Sequence, residues 1–90
     1  MPLQQYFICI VESVLLVEET GVPGDKLYHI MLYRVHLASA GFELIAQVVV
    51  NPTEINIKLY IEQCNIAIDH IETRARGNTI TYVILMNPSD

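Results

Sequence analysis

Three histidines, two cysteines and a scatter of carboxylates are the residues of this chain that could do chemistry. A metal centre needs three or four converging ligands. His29 and His36 are separated by an odd number of residues, so on one strand they point to opposite faces. His70 reads as a helical residue next to Asp69 but not on its face. No spacing gathers a ligand set, and the expectation is no metal and no cofactor. A cysteine nucleophile needs an exposed, electropositive setting. Cys9 and Cys64 both sit in apolar runs, which reads as two buried, reduced thiols acting as small hydrophobes. The glycines, Gly21, Gly24, Gly41 and Gly77, mark turns and form no phosphate-binding loop. Arg74-Ala75-Arg76-Gly77 reads as basic residues completing a helix C-terminus.

Two readings would make the chain an enzyme. Glu12, Glu62 and Asp90 compare with the acids that two-metal nucleases hang from a first strand, a helix and a later strand, but Glu62 falls on a charged solvent face and the comparison is of fold only. The second starts from Met1-Pro2. After removal of Met1, a free prolyl nitrogen leading into a strand resembles the general base of tautomerases of the oxalocrotonate kind. The sequence departs from that family's order, in which a helix directly follows the first strand, and it lacks an arginine pair near the start. The residues assemble no motif set that names a family.

These residues sit in a chain of 90, of which 52% are apolar and only 17% charged, with a net charge of −5. Ordinary usage is about 45–50% apolar and about 25% charged. A domain this small exposes much surface, and few charges are present to cover it, so some apolar surface is expected to meet another chain. Five basic residues, mostly scattered, exclude a protein that tracks phosphates. No cationic leader precedes an apolar run, and the longest such run is far short of a membrane span. The expectation is one cytoplasmic domain, with no nucleic acid and no membrane as partners.

Turn signals divide the chain into five segments. Residues 6–17 are β-branched and apolar on both faces, as in a strand covered on two sides, although Leu3, Phe7, Ile10, Val14 and Val17 also fall at helical spacing. Residues 26–37 and 42–50 read as a hairpin, with Phe42, Leu44, Ala46, Val48 and Val50 lining one face. Residues 53–76 read as one long helix, with Thr53 as N-cap, Gly77 as terminator, and Ile57, Ile61, Cys64, Ile68 and Ile71 forming an apolar stripe. Residues 79–86 read as a strand buried on both faces. The fold class expected is α+β in the order β-β-β-α-β: an antiparallel meander, one long amphipathic helix packed on the sheet, and a buried C-terminal strand, which the crossover would let pair in parallel.

That helix would carry a second apolar stripe, Ile55, Leu59 and Ile66, away from the sheet. This is the expected interface of a homo-oligomer, formed by helices packing across a two-fold axis; an edge strand pairing with its copy is the other route. The function expected is a small interaction or regulatory protein that acts as a homo-oligomer and binds protein. The alternative is a small enzyme with a subunit-interface site that uses a carboxylate or, in the manner of a tautomerase, Pro2.

Overall fold

The computed structural model describes residues 4–17, 21 and 23–87. Five strands form one sheet: β1 (Tyr6–Val17), β2 (Pro23–His36), β3 (Gly41–Val50), β4 (Ile68–Arg76) and β5 (Thr79–Met86). Their order across the sheet is β3-β2-β1-β5-β4, and every pairing is antiparallel. After β3 the chain makes a short 3₁₀ turn, Pro52–Glu54, and the helix α1 (Ile57–Gln63), then enters the opposite edge of the sheet as β4. β5 hairpins back to pair with β1, so the expected parallel strand does not exist.

The long helix over residues 53–76 does not exist either. α1 has seven residues, a length of about 10 Å. Its N-cap is Asn56, not Thr53; the Asn56 Oδ1 accepts a hydrogen bond from the Leu59 N–H at 3.0 Å. Asn65 ends the helix by taking a left-handed backbone, φ 64°, which asparagine tolerates better than most residues. Ile66 then drops into the core and β4 begins. Gly77, expected to cap a helix, instead sits with Asn78 in the two-residue turn between β4 and β5, at φ 59°.

The expected stripe misled because a β-bulge imitates helical spacing. Ile68 pairs with Met86, His70 with Leu85 and Ile71 with Ile84, so Asp69 is an extra residue in β4. A regular strand would send Ile68 and Ile71 to opposite faces. The inserted Asp69 returns both to the same face, as one helical turn would.

The core lies on the α1 side of the sheet. Among the described residues the buried set is Phe7, Cys9, Val11, Ile30, Leu32, Ile57, Ile61, Ile66 and Ile84. Phe7, Cys9 and Val11 alternate along β1 and pair with Ile84, Tyr82 and Ile80 on β5. On the other side, Cys9 and Val11 pair with Leu32 and Ile30 of β2. Ile57 and Ile61 of α1 close this layer from above. The molecule is elongated, 57 × 26 × 20 Å, with a radius of gyration of 15.1 Å against about 12 Å for a compact chain of this length. The described residues form one sheet with a partial second layer on one side only.

Candidate functional site

The polar residues with chemical potential do not converge. His29 and His36 lie on opposite faces of β2, as their spacing requires. His29 hydrogen-bonds Gln47 at 2.9 Å, and His36 contacts the Glu43 carboxylate at 2.8 Å. Arg34 lies 3.9 Å from the same carboxylate and over the Phe7 ring. His70, Glu72 and Arg74 form an exposed ladder along the edge strand β4, at 3.5 Å for each pair. Glu62 is exposed on α1, and Glu12 is on the far face of β1. No group of three or more metal-ligating side chains occurs among the described residues. Pro2 and Asp90 lie outside the described residues.

Both cysteines are free. Burial pushes the Cys9 thiol up to about 12, with the nearby Cys64 adding to the effect. Cys9 is therefore a neutral core group at physiological pH rather than a nucleophile. Tyr60 and Tyr82 are also raised above the ordinary phenol value, first by burial and then by these sulfurs.

The residues expected to form a helical interface are dispersed. Leu59 is 51% exposed on α1, but Ile66 is 3% exposed and part of the core, beyond the end of the helix. Ile55 precedes α1 and packs against the core. Ile55 and Leu59 line one hollow of about 340 Å³ with Val48, Val50 and Tyr60, and Ile66 stands apart from them in the core.

What the sheet presents instead is its second face. Strand alternation sends the residues between the core positions to the side away from α1. Cross-strand pairing aligns them in rows: Phe42, Val35, Tyr6 and Leu85 in one, Leu44, Tyr33, Ile8 and Val83 in the next, then Gln47, Met31, Ile10 and Thr81. Ten of these twelve are apolar, and no described element covers them. Phe42 is 63% and Leu44 46% exposed, and the others on β1, β2 and β5 are half-buried only by their neighbours in the sheet. Ile8, Ile10, Tyr33 and Phe42 line a hollow of about 280 Å³.

Charges border this band without entering it. Glu12 and His29 pair across β1 and β2 in the next row, and β4 carries His70, Glu72, Arg74 and Arg76 along one side. β5 is consequently not buried on both faces: Ile80, Tyr82 and Ile84 face the core, while Val83 and Leu85 belong to the open face.

A second bulge hid this surface from the sequence. Leu32 pairs with Ala46 but Tyr33 with Leu44, so Ile45 is the extra residue in β3. Phe42 and Leu44 therefore lie on the face opposite Ala46, Val48 and Val50, not on the same one. The available signal was the apolar character of both faces of segments 6–17 and 79–86, which demands two covers.

No helix of the described residues is long and apolar enough to cross a membrane. Comparison with protein-family models, with curated proteins and with solved structures finds no match to this chain.

Proposed function

We propose that the protein is a small self-associating interaction module whose contact surface is the open face of the sheet. The observation that carries this reading is the three-row apolar band on a face that α1 does not reach. Domains are built of packed layers because a sheet with two apolar faces must cover both. A contiguous apolar surface spanning four strands and rimmed by polar residues is the kind of patch that marks an interaction site. Edge pairing is the weaker route: the β4 edge carries charges and the Asp69 bulge, and β3 carries the Ile45 bulge, both devices that discourage strand addition. The reading keeps the module in the cytoplasm, supported by its two free thiols.

Light scattering at micromolar concentration tests it. The expected mass is a multiple of the 10.2 kDa chain. A single-chain mass would end the self-association reading and leave the face to a foreign protein.

A further inference from the structure

We propose that the occupant of the open face is a second copy of this chain, stacked sheet on sheet about a two-fold axis that runs along the strands between β1 and β2. The inference rests on the self-association reading and adds its geometry. Rotation about that axis lays β1 of one copy over β2 of the other, and β3 over β5. Each apolar row then meets its own row: Leu44 faces Val83 of the partner subunit, and Ile8 faces Tyr33 of the partner subunit. One row further, Glu12 meets His29 of the partner subunit, so the polar border of the band also finds a complementary group. β4 falls outside the overlap, which leaves its charged ladder in water.

A two-fold axis across the strands does worse. Centred on the middle of the three rows, it lays the Ile10 row over the Tyr6 row, which sets Gln47 against Phe42 of the partner subunit and Thr81 against Leu85 of the partner subunit, and it carries Glu12 away from His29 of the partner subunit. Centred on the two most apolar rows, it leaves the Ile10 row without an apolar counterpart. The strands keep their mutual alignment in the favoured stack, consistent with the small crossing angle of about 30° found in β-sandwiches.

The area suffices. Four strands about 4.8 Å apart, over about eight residues at about 3.3 Å each, project to roughly 500 Å². Side-chain relief raises the accessible surface above that projection, toward the roughly 800 Å² per partner of a standard interface.

Complementary charges test the geometry. Leu44 and Val83 lie in one row with β2 and β1 between them, about 14 Å apart within a chain, too far for an ion pair. Leu44→Lys and Val83→Glu should each weaken dimerisation by roughly a hundredfold or more by placing a charge in the interface without an opposite one, since Glu72 lies directly opposite Val83 on β4. The double variant should recover dimerisation by at least about tenfold over either single one, because each new glutamate meets a new lysine across the axis. Circular dichroism of each variant confirms the sheet is intact; both positions retain solvent exposure, and the double variant controls for folding. Monomeric single variants with an unrescued double variant would overturn this axis while leaving the face as the interface. Single variants that stay dimeric would overturn the stacking while leaving self-association standing. A monomeric wild-type protein would overturn both readings together.

Discussion

Cys9 lies directly opposite Tyr82 across the β1–β5 pair, on the face that α1 covers. Both groups titrate above their ordinary values, Cys9 at about 12, chiefly because burial penalises their charged forms. The unfolded chain releases the Cys9 proton near 9 and the folded chain holds it to about 12. Stability from this group is thus complete below pH 9 and lost as pH rises from about 9 toward 12. The slope is about 1.4 kcal/mol per pH unit in that window. Tyr60 and Tyr82 act in the same direction from about pH 10 upward. Urea midpoints measured between pH 7.5 and 10.5 should fall, and Cys9→Ala should flatten that fall while lowering stability at pH 7.5. An unchanged alkaline slope in Cys9→Ala would show that Cys9 is not the titrating group.

Ile61 is fully buried under α1, whereas Ile68 at the start of β4 is half-buried. Ile61→Ala should cost about 2–5 kcal/mol, and Ile68→Ala about 1 kcal/mol. Chemical denaturation checks both. Equal losses at the two sites would show Ile68 to be as deeply packed as Ile61 and contradict its half-buried place at the edge of the core.

The strands β1 and β5 were legible in the sequence to their end residues, because long runs of β-branched and apolar side chains suit a pleated, covered strand. The β2–β3 hairpin was legible from its turn. The long helix was not a failure of propensity: Ile68 and Ile71 share a face in both conformations, through a helical turn or through a bulge, and a sequence pattern cannot tell these apart. Pairing with β5 decides the outcome, since Gly77-Asn78 closes a tight hairpin and β5 would otherwise lose one neighbour. The same physics concealed the candidate site, because the extra residue at Ile45 moves Phe42 and Leu44 to the other face. What the composition did reveal was the surplus: more apolar side chains than one core can take.

Two turn positions should respond in opposite directions. Gly77 adopts φ 59° with open space around its Cα, and Ala40 adopts φ 53° despite its methyl group. A left-handed backbone costs a non-glycine residue about 1–2 kcal/mol. Gly77→Ala should therefore destabilise by about 1 kcal/mol. Ala40→Gly should stabilise by about 0.5 kcal/mol, once glycine's greater unfolded-state freedom is subtracted. Thermal melts at equal protein concentration measure both, and a shared sign for the two would refute this account of the turns.

The decisive contrast lies between Leu59 and Phe42, which are similarly exposed at 51% and 63%. Leu59 stands on α1 at the rim of a hollow that it shares with Ile55, Val48, Val50 and Tyr60 on the side of the sheet that α1 already covers, while Ile66 is in the core. Phe42 stands at the end of an apolar row continued by Val35, Tyr6 and Leu85. Exposure alone predicts equal effects of a charge at the two sites, whereas a buried contact surface predicts effects at Phe42 only. Leu59→Glu should leave the oligomer mass unchanged and cost about 1 kcal/mol at most, because the half-exposed side chain can turn its charge to water. Phe42→Glu should dissociate the assembly, because its carboxylate would enter an apolar contact without a partner. Sedimentation velocity on both variants reads the result directly. Dissociation by Leu59→Glu with an intact Phe42→Glu assembly would move the interface from the sheet to the helix.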